Sequence, residues 1–283
     1  MSTKFGPAGL GGVKEAISNL ERYSELGLKA CEIAFTYSIY IKRKEDALEI
    51  GKAAKKLGID LSIHAPYWIN LNSTDKKIIE KSKQRILKCC EIGTYLKAEV
   101  VVFHPGYYSK MSKQETYQNP RKSRGFSGPQ KADIKEQAFC VIKRGIFEMQ
   151  KEIKKKKYLP KLAPETTGKL NVFGSIDEIQ KLVKDTGCCF CIDFAHILAR
   201  YKDYKFKEVF EKFREHKKMH IHFSGIEYGK KGEKHHKKTE SSQLKKLISN
   251  LPKKKEVTII NESPFPVEDS VLGLKIYQTL SKI

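Results

Sequence analysis

The residues best suited to chemistry in this chain are single histidines and carboxylates, each standing where a short apolar run ends. His64 closes Ser62-Ile63-His64, His104 follows Val101-Val102-Phe103, and Glu165 follows Leu162-Ala163-Pro164. Asp193 follows Cys191-Ile192 with His196 three residues on, His222 closes Met219-His220-Ile221-His222, and Glu262 follows Ile259-Ile260-Asn261. Such groups are costly to bury unless they are paired or bound to metal. Six such ends converging on one place would make a polynuclear metal site. Imidazole with carboxylate suits zinc, manganese or iron, and the lack of cysteine at these positions argues against a structural thiolate site. A carboxylate can bridge two cations, and ions about 4 Å apart clamp a phosphodiester, acidify water and stabilise the attacking and leaving oxygens. The expected chemistry is hydrolysis of a phosphate ester, with Glu262 beside the attacking water.

The convergence requires a scaffold. Strand patterns are expected at Lys4 to Phe5, Ala30 to Phe35, Asp60 to His64, Glu99 to His104, Lys161 to Glu165, Phe190 to Asp193, Lys218 to Phe223 and Glu256 to Glu262. Helical patterns separate and follow them, with Gly27 and Gly58 as C-terminal stops and Ser175 with Glu178 as a capping box. Eight strands alternating with eight helices predict an α/β protein, a (β/α)8 barrel formed by residues 1–283 as one domain. Its active face lies at the C-terminal strand ends, where the polar residues fall. An open doubly wound sheet would place a ligand at one switch point and leave residues on six strands unexplained. His220 and His222 share a strand face; His222, nearer the end, is the expected ligand, while His216 and His236 are read as surface residues.

Against 55 Lys plus Arg stand 33 Asp plus Glu, a formal charge of +22 that attracts polyanions. The lysine runs at 154–157 and 253–255 read as solvated surface, and lysine-rich chains also occur in thermophiles. More telling are three insertions after strands, at 36–43, 106–129 and 224–239. They carry Tyr37, Tyr107, Arg121, Arg124 and His235, and interleaved basic and aromatic residues suit a polyanion with flat bases. No apolar run reaches the roughly 18 residues needed to span a bilayer, and no signal peptide opens the chain, so no membrane partner and a cytoplasmic location are expected. The seven cysteines, an odd number with Cys89-Cys90 and Cys188-Cys189 adjacent, are read as reduced core residues.

The segments His64-Ala65-Pro66-Tyr67-Trp68-Ile69-Asn70-Leu71, Phe103-His104-Pro105-Gly106, Glu165-Thr166-Thr167-Gly168, Asp193-Phe194-Ala195-His196 and Glu233-Lys234-His235-His236 resemble, in order, the signature segments of the endonuclease IV family. The resemblance implies a TIM barrel with three zinc ions, manganese being the other candidate. By position, it implies one ion at His64, His104 and Glu165; a second at Glu165, Asp193, His222 and Glu262, with Glu165 bridging; and a third at His196, Glu233 and His235. It further implies cleavage 5′ to abasic sites in double-stranded DNA during base-excision repair. Glu262 and Glu165 would be catalytic, and Tyr67 would lie near the extruded nucleotide. A monomer suffices for this work. The chain departs from the family pattern at Glu233, where the family has Asp, and at Phe223-Ser224-Gly225, where it commonly has an Asn-Asp pair. The first-loop segment Phe5-Gly6-Pro7-Ala8-Gly9 also differs. The alternative is a metal-dependent sugar isomerase or epimerase of the same barrel superfamily, for which one or two ions are enough.

Overall fold

The computed structural model describes residues 2–108 and 131–281. Its parallel strands are β1 (Thr3–Pro7), β2 (Ala30–Ala34), β3 (Asp60–His64), β4 (Val100–Phe103), β5 (Lys161–Pro164), β6 (Cys191–Asp193), β7 (Lys218–Phe223) and β10 (Glu256–Asn261). They form two four-stranded sheets, ordered β2-β3-β4-β5 and β1-β10-β7-β6. Two narrow seams join them. At one, Ala8 bridges Glu32 in parallel and the Lys29 N–H donates to the Phe5 carbonyl at 3.1 Å. At the other, Glu165 bridges Cys191 and the Thr166 N–H donates to the Cys191 carbonyl, also at 3.1 Å. The result is the expected (β/α)8 barrel.

Helices α1 (Ala16–Glu25), α2 (Lys44–Leu57), α3 (Lys76–Leu96), α4 (Lys131–Lys156), α5 (Ile176–Thr186), α6 (Phe194–Tyr201), α7 (Phe206–Lys212), α8 (Ser241–Asn250) and α9 (Pro266–Leu280) occupy the connections. Their ends follow local chemistry. Helix α2 has Glu45 and Asp46 in its first turn, Lys55 and Lys56 in its last, and a left-handed Gly58 at its stop, all complementary to the helix dipole and the orphan carbonyls. Helix α5 begins at the Ser175/Glu178 capping box. Alternation along the strands separates two apolar regions. Val100, Val102, Ala163 and Cys191 pack inside the barrel, whereas Ile33, Ile63, Val101 and Phe103 pack outward in the main core.

Two elements differ from the periodicity reading. Helix α6 starts directly after β6, because the Asp193 carboxylate accepts the His196 backbone N–H at 2.8 Å and so caps the helix while closing the strand. The segment read as a long insertion after β7 folds as a hairpin, β8 (Gly225–Gly229) with β9 (Gly232–Lys237). Most of the cysteines are free and buried as expected; Cys189 is half-buried and Cys140 is exposed on α4. No helix among the described residues is long and apolar enough to cross a membrane. Arg121 and Arg124 lie outside the described residues.

Candidate metal centre

The strand ends bring His64, His104, Glu165, Asp193, His222 and Glu262 to one place, and the first turn of α6 adds His196. Fully buried Glu165 is the hub. Its Oε2 lies 3.2 Å from His64 Nε2 and 2.9 Å from His104 Nε2, while its Oε1 lies 3.1 Å from His222 Nδ1 and 3.5 Å from His196 Nδ1. Three groups of donors close enough to share an ion result: His64, His104 and Glu165; Glu165, Asp193, His222 and Glu262; and Asp193, His196 and His236. One register lower, Cys191, His220 and His222 form a fourth group inside the barrel. His222 is thus the seventh-strand residue that meets Glu165, and His220 turns to Glu32.

The third group differs from the one expected. His235 is exposed, whereas His236 is half-buried, lines the cleft and stacks edge-on against His196 at 5.4 Å between ring centroids. The cause is a register shift in the hairpin, where Glu227 pairs with His235 but Tyr228 pairs with Glu233, leaving Lys234 as an extra residue. A bulge of this kind resets the alternation, so Glu233 and His236 share a face. Glu233 Oε2 accordingly comes within 3.4 Å of His196 Nε2. Gly168 permits this approach, since a Cβ there would lie 2.7 Å from that of Glu233. Ser224, one of the departures from the family pattern, is fully buried with its Oγ 2.6 Å from His236 Nδ1. The reading of His236 as a surface residue is corrected: it belongs to the centre, and His235 lies outside it.

The electrostatics suit cations. Burial pushes the Glu165 carboxyl up, but the charges of His104 and His222 outweigh this and hold it well below the usual range. Glu262 is likewise kept low, against burial, by His222. Burial would lower His196 and His222, yet Asp193, Glu233 and Glu165 raise the first, and Cys191 followed by Glu262, Glu32 and Glu165 raises the second. Asp193 is raised by burial, which the neighbouring His196 offsets only in part. The donor set fits divalent ions on a further observation. Asp193 Oδ2 and His196 Nε2 are buried without a hydrogen-bond partner, which is rare for protein groups that bind nothing else.

Above the cluster opens a cleft of about 270 Å³ whose walls include Tyr67, Tyr107, Lys169 and Glu262. Tyr67 stands 5.8 Å from His64 and 6.1 Å from His104 by ring centroids. Tyr37, at 76% exposure, lies on the neighbouring loop, where the Thr36 carbonyl accepts the Tyr67 N–H. Lys169 is the one Lys or Arg in the described lining, and the sequence reading passed over it. It also passed over Glu32, a carboxylate in the middle of an apolar strand that meets His220 and His222 across the barrel.

A family model described as xylose isomerase-like TIM barrel matches residues 20–264. The chain belongs to that family. An uncharacterized protein of Methanocaldococcus jannaschii is 33% identical over 98% of this chain and 97% of its own length. A "Probable endonuclease 4" of Mycobacterium marinum is 25% identical over 56% of this chain and 52% of its own. Two solved structures superpose equally well on this chain. Endonuclease IV from Thermus thermophilus gives a TM-score of 0.67 at 19% identity over 99% of this chain and 100% of that one. A D-tagatose 3-epimerase-like protein gives 0.67 at 19% over 99% and 98%. The likeness to both is one of fold.

Proposed function

We propose that this protein is a zinc-dependent endonuclease that hydrolyses the phosphodiester 5′ to abasic sites in double-stranded DNA, working as a monomeric single-domain barrel in the cytoplasm. The observation that carries the reading is the continuous run of three donor groups joined through Glu165 and Asp193. A proton shift beside a carbonyl needs fewer ions than that. In this reading His64, His104 and Glu165 hold the first ion, and Glu165, Asp193, His222 and Glu262 the second. His196 and Glu233 hold the third, with His236 in the place first expected for His235. Such ions supply Lewis acidity to a phosphoryl group and make water a nucleophile at neutral pH.

The chain's own residues do the rest. Glu262, ionised beside His222 on the cleft wall, takes the proton of the attacking water. Lys169 offers its ammonium to a phosphate oxygen. Tyr67 and Tyr107 wall the pocket, and Tyr37 grips the duplex beyond it. The second reading, a sugar isomerase or epimerase, is favoured by the equal superposition on the epimerase-like structure, and the second donor group alone would serve it. One experiment separates the two. Zinc-loaded protein is expected to nick a duplex at a single abasic site while bearing three ions per chain. An intact duplex and one ion per chain would favour the epimerase.

A further inference from the structure

Among the described residues, each histidine with one nitrogen turned to the cluster, His104 apart, has its other nitrogen within reach of a partner, and these partners are not alike. The His64 Nδ1–H donates to the Ala65 carbonyl at 2.8 Å, and the His196 Nδ1–H to the Thr166 carbonyl at 3.0 Å. His236 Nδ1 meets the Ser224 hydroxyl. These three hydrogen-bond partners are neutral, although His196 Nδ1 also lies 3.3 Å from Asp193 Oδ2 and 3.5 Å from Glu165 Oε1, both within the cluster. His222 is different: its Nδ1 faces Glu165 Oε1 and Glu262 Oε2 at 3.1 and 3.3 Å, and its Nε2 lies 2.9 Å from Glu32 Oε1.

Glu32 comes from β2, in the opposite four-stranded sheet, and reaches His222 through the barrel interior. Its side chain is fully buried. Its second oxygen, Oε2, is fixed by the His220 Nε2–H at 2.9 Å and the Ser62 hydroxyl at 2.8 Å. This leaves Oε1 to His222: the 2.9 Å approach is an ion-pair contact, and neither Oε1 nor His222 Nε2 completes an aligned hydrogen bond among the described residues. A buried carboxylate costs several kcal/mol unless it is compensated, so its placement against one imidazole calls for an account.

We propose that Glu32 is a positioning residue for the second ion: held by His220 and Ser62, it fixes the proton of His222 on Nε2 and directs the Nδ1 lone pair at the ion shared with Glu165, Asp193 and Glu262. A carboxylate behind a metal-binding imidazole sets its tautomer and ring orientation and raises its basicity, and loss of such a partner weakens metal binding about 10–100-fold. The inference rests on the metal reading above and concerns one ion of the three.

The test uses full-length protein, stripped with a chelator and titrated with zinc alone. Glu32→Gln is expected to bind one ion about 10–100-fold more weakly than wild type and the others unchanged. Equal affinity for every ion in the two proteins overturns the inference. Wild-type protein that takes up no zinc overturns the metal reading itself. If Glu32→Gln does not fold, nitrogen-15 NMR of the zinc-loaded wild type decides the matter. A proton on His222 Nε2 with zinc on Nδ1 is expected, and a proton on Nδ1 overturns it.

Discussion

His104 Nε2 lies 2.9 Å from Glu165 Oε2, while the other oxygen of the same carboxylate faces His222, so one side chain serves two donor groups. Glu165→Gln keeps the size and removes the charge that both groups use. Elemental analysis is expected to show the first two ions lost together, and nicking of an abasic duplex is expected to fall by at least about 100-fold. Loss of a single ion would show that Glu165 does not bridge.

The hairpin bulge makes adjacent histidines unequal. His236→Ala is expected to remove the third ion and lower activity by about 10-fold or more. His235→Ala is expected to leave metal content and activity unchanged. The reverse result would mean that the strand slips by one residue when metal binds.

Protons and metal compete for the same atoms. Burial would lower His64, but its hydrogen bond to Glu165 and the charges of Glu165, Glu262 and Glu32 outweigh this and raise its pKa from 6.5 to about 9. In the metal-free protein this contribution to stability is complete below pH 6.5 and is lost as pH rises through about 9. Zinc must displace that proton, so its affinity is expected to rise about tenfold per pH unit per proton released, levelling off above His64's folded pKa. Calorimetric titrations in buffers of different ionisation enthalpy count the protons. A flat profile would contradict a protonated His64.

Lys169 is expected to read phosphate. Lys169→Ala should raise KM for an abasic duplex and reduce the slope of log affinity against log salt by about one, with zinc content unchanged. An unaltered salt slope would remove Lys169 from the substrate contact.

Two glycines test the barrel wall with opposite signs. A Cβ at Gly6 would sit 1.8 Å from the Ala30 carbonyl oxygen across the β1–β2 seam, whereas one at Gly145 on α4 meets nothing within 4 Å. Gly6→Ala is expected to destabilise by about 3 kcal/mol or more, and Gly145→Ala to stabilise by about 0.5–1 kcal/mol. Thermal melts measure both.

Period-two and helical patterning carried the eight strands and their order, because burial on both faces makes parallel strands apolar runs that stop where polar ends begin. The six strand-end donors were legible for the same reason. What escaped depends on atoms that only folding brings together. Nothing in the sequence marks the extra residue Lys234, so it was not legible that His236 faces the cleft while His235 is exposed. Glu32 lies mid-strand in Ala30-Cys31-Glu32-Ile33-Ala34, and its partners are 188 and 190 positions away. Helix α6 was hidden because Asp193 ends one element and begins the next.

The two seams of the barrel fall at Glu32 and Glu165, the carboxylates against which the histidines are arranged. His64 and His104 belong to one curved half of the wall and His222 and Glu262 to the other, and Glu165 touches members of both. A cation seated among them would therefore be a clasp as well as a reagent: the atoms that would cut a substrate would also hold the cylinder shut, and stripping such ions should loosen the wall along its two thinnest lines.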